Sequence, residues 1–382
     1  MTPGARLSAA ITVLDRILAG AAAEPTLTNW GRANRYAGSG DRHAIRDLVF
    51  DALRRRRSYA ALGGGLSGRG LMLGRLVAAG VDPLTLFSGL GHAPAPPGPL
   101  DIGRRPEGAE ALDVPDWLAV PLHLALGSQY QATMEAMRDR APVFLRVNLA
   151  RISRDAALDR LAAEGISALP HPLVASAVQV TDGERKVQSS TCYLTGLVEL
   201  QDASSQSVVA LLDLKPGLRV LDYCAGGGGK TLALAARGML PFAHDISATR
   251  MSDLPLRAKR AGAIVTILSD PRQFAPYDLI LMDAPCSGSG AWRRDPQAKW
   301  SLTPERLAAL QGMQAGILDR APELLAPGGV LAYVTCSLLT EENEAQVTGF
   351  VARHPGFHAT LQQRFSPLQG GDGFFVTLLT RA

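Results

Sequence analysis

From about residue 205 onward, short apolar runs alternate with helical patterns. Strands are expected at "LRVLDYC", "LPFAHDI", "AIVTILSD", "YDLILMDA" and "GVLAYVTC", with helices between them, the longest starting near Thr303 and Pro304. Runs this short, separated by helices, belong to strands covered on both faces and imply a parallel, doubly wound sheet. The pattern changes at the end: "FHATLQQRF" and "GFFVTLLTR" follow one another with no helical pattern between them, as a hairpin would. Ligands of open α/β sheets bind beyond the carboxyl ends of the strands. Asp245, Asp270 and Asp283 fall there, after the second, third and fourth strands. A single aspartate at such a place is commonly a turn or helix cap, whereas three in register point to a site.

The first strand leads into "LDYCAGGGGKTLALAA" (221–236), for which three readings compete. A phosphate-binding P-loop needs a glycine at position 224, where Cys224 stands. A dinucleotide fingerprint would place its last glycine at 231, where Thr231 stands. The third reading is a loop for S-adenosylmethionine (SAM), which needs only glycines that let the backbone approach the cofactor. Methyltransferases that use SAM also end a parallel sheet with a hairpin. On this reading Cys224, Ala225, Gly226, Gly227, Gly228, Gly229 and Lys230 line the cofactor, Asp245 accepts its ribose hydroxyls, Asp270 lies at adenine height and Asp283 completes the site.

Upstream, Leu7, Ile11, Leu14 and Leu18 recur at helical spacing, a second helix is expected over 41–60, and "LMLGRLVAAGV" (71–81) reads as a third. The second ends in Arg54 to Arg57, either a solvated helix end or a phosphate-binding patch. Residues 91–115, rich in Pro and Gly, read as a linker, and 116–200 as a small α+β unit with strands at "VFLRVNL" and "ASAVQVTD". The net charge of +4 and pI near 9.0 are compatible with nucleic acid without requiring it. The first apolar stretch is interrupted by Asp15 and Arg16, too charged for a signal peptide and too short to span a bilayer. A cytoplasmic protein with no membrane partner is expected.

Four cysteines in 382 residues, with no C-x-x-C pair, read neither as a disulfide framework nor as a zinc site, and no metal is expected. Two of them end strands, Cys286 in "DAPCSGSG" and Cys336 in "VTCSLLTEEN". Together with "CAGGGGKT" and the upstream "QDASSQ" (201–206), these motifs resemble the RsmB/Sun family of RNA methyltransferases, which make 5-methylcytosine. The resemblance is dense from about 200 to 345. It implies a Rossmann-like SAM methyltransferase domain over 201–382, a parallel sheet with a C-terminal antiparallel hairpin. Ahead of it come an RRM-like α+β unit over 116–200, the linker 91–115, and an all-helical NusB-like RNA-binding domain over 1–90. The last of these rests mainly on "GDRHAIRDLVFDALRR". One departure is that the family loop usually has alanine and proline where this chain has Gly226 and Gly227; no functional group is removed.

The chemistry accounts for the cysteines. Carbon 5 of cytosine is a poor nucleophile until a thiolate adds at carbon 6, one hard step becoming two easier ones. The resemblance assigns that addition to Cys336 and product release to Cys286, with Asp283 on the polar edge of the base. Cys192 reads as a packed residue. Lys230 can meet base or phosphate or be a solvated helix start. Arg293, Arg294, Lys299 and Trp300 stand beside the site in sequence; the cations suit phosphates, while Trp300 reads as packing more than stacking. The implied substrate is structured RNA, 16S ribosomal RNA above transfer RNA, acted on by a monomer. A DNA cytosine methyltransferase does not need the second cysteine, and a ribosome-assembly factor without catalysis does not need the pair.

Overall fold

The computed structural model describes residues 1–212 and 215–381, which divide into two compact units. The first comprises Met1–Arg140 together with Trp292–Ser301, and the second Ala141–Ala291 with Leu302 onward.

The first unit is helical. Its core is built by α1 (Pro3–Leu18), α2 (Ala23–Ala33), α3 (Ser39–Arg54), α4 (Arg56–Leu62) and α5 (Gly68–Ala78) around Leu14, Ile45, Val49, Leu53, Leu71, Met72 and Phe87. The Thr2 side chain caps α1 by accepting from the Ala5 amide at 3.2 Å. The expected helix over 41–60 is two helices, broken at Arg55 (φ −114°, ψ 34°). The break lets α4 lie backbone to backbone on α5, where a β-carbon on Gly74 would strike the Tyr59 carbonyl. Residues 91–115 are no free linker. Arg69 reaches Asp101 and the Ala95 and Pro96 carbonyls, Ser8 Oγ donates to His92 O at 2.7 Å, and Arg104 N donates to Ala61 O at 2.8 Å. The boundary between the units falls at Arg140, beyond the change in composition.

The second unit holds two sheets. The smaller is antiparallel in the order β2-β3-β1-β4, from β1 (Val143–Val147), β2 (Ser167–Pro170), β3 (Ala177–Asp182) and β4 (Val198–Leu200), with the helix Arg154–Ala163 between β1 and β2. Ser153 caps that helix, as its position suggests.

The larger sheet runs β10-β11-β9-β8-β5-β6-β7. Its strands are β5 (Arg219–Asp222), β6 (Leu240–His244), β7 (Thr266–Leu268), β8 (Tyr277–Asp283), β9 (Leu325–Thr335), β10 (Phe357–Phe365) and β11 (Phe374–Arg381). β5 to β9 pair in parallel, and the β10–β11 hairpin joins antiparallel to β9. Alternate residues feed two cores: Leu221, Ile280, Met282, Tyr333 and Phe375 on one face, Val220, Leu279, Leu281, Val334 and Val376 on the other. Both faces are covered, which is why the strands read as continuous apolar runs. The longest helix of this unit, Pro304–Leu318, is capped by the Thr303 side chain.

Candidate active site

The register of the sheet builds the site. Asp283 pairs with Val334, and the Ala284 amide donates to the Val334 carbonyl at 2.9 Å. The chain beyond β8 therefore runs beside the chain beyond β9. Cys286 Sγ and Cys336 Sγ stand 3.4 Å apart, within reach of an S–H···S bond.

A buried polar network that the sequence reading did not single out locks the two loops together. Glu342, wholly buried, accepts at Oε1 from the Ser287 amide (2.8 Å) and Gln314 Nε2 (3.0 Å). At Oε2 it accepts from Ser287 Oγ (2.5 Å) and Ser337 Oγ (2.6 Å). The residue after each cysteine is thus bonded to one carboxylate. Asn343 adds a bond from Nδ2 to Ser337 O and takes one from Thr335 Oγ1. The signal was present in the sequence: both cysteines are followed by serine, and an acid follows in the same motif.

The surroundings of Cys286 disfavour its thiolate. The hydrogen bond with Cys336, burial, and the charges of Cys336 and Glu342 push the Cys286 thiol well above the ordinary range. Cys286 therefore holds its proton and can donate it towards the Cys336 sulfur. Lys230, expected at the loop end, is buried rather than solvated, with Nζ 2.7 Å from Asp283 Oδ2 and 5.0 Å from the Phe374 ring centroid. Burial pulls its pKa down, but Asp283, Asp222 and Cys336 outweigh that and the net shift is upward, so the ammonium is retained. The second oxygen of Asp283 takes no hydrogen bond from the described residues.

The glycine loop lies at the carboxyl end of β5. Gly226 and Gly228 adopt φ of +49° and +80°, conformations glycine enters without cost. Asp245 follows β6 and is buried. Its Oδ2 takes the Gly226 amide (3.0 Å), its Oδ1 takes the Ser247 amide (2.9 Å), and Arg250 stands 3.3 Å away. Ala225 N is tied to His244 O at 2.9 Å. Burial, then the charges of Asp222, Asp283 and Asp245, push the Cys224 thiol up, so it stays neutral in the loop. Asp222 is likewise buried and rises to about 7, chiefly through desolvation, despite accepting from Thr231 Oγ1 at 2.6 Å. Asp270 caps the turn Pro271–Phe274, is half-exposed, and is forked by Arg272 at 2.9 Å, which holds its carboxyl below the usual range. Cys192 is buried in the core of the small sheet.

Both readings of Arg54 to Arg57 are corrected, because these side chains are used inside the helical unit. Arg54 is buried and donates to Arg293 O at 2.7 Å, Arg55 meets Asp139 at 2.6 Å, Arg56 lies over the Trp300 ring at 5.3 Å, and Arg57 meets Asp116 at 2.6 Å. Arg293 and Lys299, expected to face phosphates, are buried in the same unit, where burial pulls the Lys299 pKa down to about 8. Trp300 donates from Nε1 to Leu53 O at 2.6 Å and is a packing residue.

The description "16S rRNA methyltransferase RsmB/F" matches residues 209–379, and the RsmF/B-like ferredoxin-like domain matches 114–188. The ribosomal RNA small subunit methyltransferase B of Salmonella arizonae is 37% identical over 284 residues, 70% of this chain and 66% of that protein. The chain belongs to the RsmB/Sun family. It spans about two-thirds of the length of that relative. The crystal structure of PH0851 shares the fold over 99% of both chains (TM-score 0.76, 21% identity). A methyltransferase homolog from Pyrococcus horikoshii shares it over 72% of this chain and 97% of that one (TM-score 0.63, 27% identity).

Proposed function

We propose that this member of the family transfers a methyl group from SAM to carbon 5 of cytosine in RNA, with small-subunit ribosomal RNA as its substrate. The observation that carries the reading is the pair of thiols 3.4 Å apart at the ends of adjacent parallel strands, one of them held protonated. The donor set also suits the cofactor: an open glycine loop beside a buried carboxylate whose bonds are to backbone amides and a half-exposed arginine. Gly226, Gly227 and Asp245 would hold SAM, which supplies an electrophilic methyl group.

The chain's own residues then act in sequence. The Cys336 thiolate adds to carbon 6, steadied by the Cys286 S–H at 3.4 Å and by the Lys230 ammonium. The pair of electrons from the 5,6 double bond moves into the ring, and carbon 5 takes the methyl group. The free oxygen of Asp283, whose carboxylate Lys230 keeps in place, accepts from the polar edge of the base. A water takes the carbon 5 proton, the electrons of that C–H bond re-form the 5,6 double bond, and Cys336 leaves as thiolate. Cys286, which keeps its own proton and is fixed by the Ser287–Glu342 bonds, orders that water.

The test is incubation of the protein with SAM and unmodified small-subunit ribosomal RNA, transfer RNA or DNA, followed by nucleoside mass spectrometry. The reading expects 5-methylcytidine in the ribosomal RNA and none with Cys336→Ala. Methylation confined to transfer RNA would replace the substrate, and SAM binding without transfer to any of the three would favour an assembly factor.

A further inference from the structure

Four consecutive glycines, Gly226 to Gly229, leave the loop with little stiffness of its own. Two arginines from outside hold its carbonyls. Arg257, on the helix Leu254–Ala261, donates from Nη1 to Gly227 O; Arg146, on β1, donates from Nη1 to Gly229 O at 3.2 Å. Both belong to one charge cluster. Arg146 is the register partner of Glu199 across β1 and β4, while Arg257 Nη2 and Arg260 Nη2 lie 3.5 and 2.7 Å from the two Glu199 oxygens. Glu199 and Arg146 are buried, and no step of methyl transfer uses any of the four.

A second observation is steric. Gly227 is not among the glycines with positive φ, so its backbone alone does not demand glycine. A β-carbon there would stand 2.8 Å from Arg257 Nη1, the mobile end of that side chain, and would push the guanidinium off its seat. The seat of the guanidinium on the Gly227 carbonyl therefore depends on the absence of a side chain at 227.

We propose that Arg257 is a positioning residue for the cofactor loop and that Gly227 and Arg257 act as one coupled pair, anchored through Glu199 to the small sheet. The proposal rests on reading this loop as the SAM site. It gives the ferredoxin-like sheet a part in cofactor binding: β1 and β4 present the charges that hold the loop in shape.

The experiment is calorimetric titration of the full chain with SAM, for the parent, Arg257→Ala, Gly227→Ala and the double variant, with the thermal midpoint recorded for each. Loss of a charge-assisted bond to the loop should weaken SAM binding about tenfold in either single variant. Because both changes break the same bond, the double variant should also be about tenfold weaker, where independent sites would multiply to about a hundredfold. Arg257→Lys, which cannot fork between Glu199 and the carbonyl, should fall between parent and Arg257→Ala. In turnover, the KM for SAM should rise more than kcat falls. A hundredfold loss in the double variant, or an Arg257→Ala protein that loses thermal stability yet binds SAM as the parent does, would overturn the pairing. A parent that binds no SAM would overturn the cofactor reading itself.

Discussion

Glu342→Ala should loosen both cysteine loops at once, and its cost can be worked from the hydrogen bonds. Four donors converge on the carboxylate. Two are serine hydroxyls that can turn to one another, since Ser289 Oγ lies 3.1 Å from both Ser287 Oγ and Ser337 Oγ. Gln314 Nε2 keeps its bond to Pro285 O at 2.9 Å. The Ser287 amide gives up its 2.8 Å bond to a charged acceptor, which costs about 1.5–3 kcal/mol. Deleting the one buried methylene adds about 0.8 kcal/mol. The sum is roughly 2–4 kcal/mol, which for a domain of this size lowers the thermal midpoint by about 4–16 °C. Calorimetry should show that drop. Below the transition, turnover should fall much further than SAM affinity, because the loops carry Cys286 and Cys336 and not the cofactor loop. A midpoint within about 2 °C of the parent, outside what this size scaling allows, would refute the reasoning.

Asp245→Ala should weaken SAM binding by about 1.5–3 kcal/mol, the worth of bonds to a charged acceptor, as read by calorimetry. Asp222 holds its proton up to about pH 7 in the fold but loses it near 3.8 when unfolded, so the native state carries the extra proton between those values and stability declines as pH rises across them; denaturant titrations of Asp222→Asn should show that decline flattened. Arg54→Ala should lower the melting temperature of the helical unit, since its bond to Arg293 O is lost, with no change in the salt dependence of RNA binding. Removing the exposed Arg32, Arg35 and Arg42 should instead reduce the slope of log affinity against log salt by about 0.7 for each single-strand phosphate that these side chains neutralise in the parent.

The α/β part of the fold was legible because its signals are local. A strand covered on both faces is apolar whatever covers it, and the acids after β6 and β8 sit where strands must end. The glycine loop and the two cysteine motifs were legible from short strings. What escaped depended on partners far off in the chain. Arg54 to Arg57 read as a solvent-facing run because charge alone says nothing of Arg293, Asp139, Trp300 or Asp116, which receive them. Residues 91–115 have a linker's composition, yet Arg69 and Ser8 hold them on the helices. The break at Arg55 follows from the close approach of α4 to α5, which no local propensity records. Glu342 is one of three acids close together, with Glu341 and Glu344, and nothing local marks it out. Only the register that sets β8 beside β9 turns it into the acceptor shared by both cysteine loops.

The division of labour between the thiols is tested most directly by trapping. Cys286→Ala, incubated with RNA and SAM, keeps the Cys336 thiolate and can add, methylate and then stall, so a protein–RNA adduct that survives SDS gel electrophoresis should accumulate and should require SAM. The double variant with Cys336→Ala should form none. An adduct trapped by Cys336→Ala and lost in Cys286→Ala would contradict the assignment and reverse the two roles.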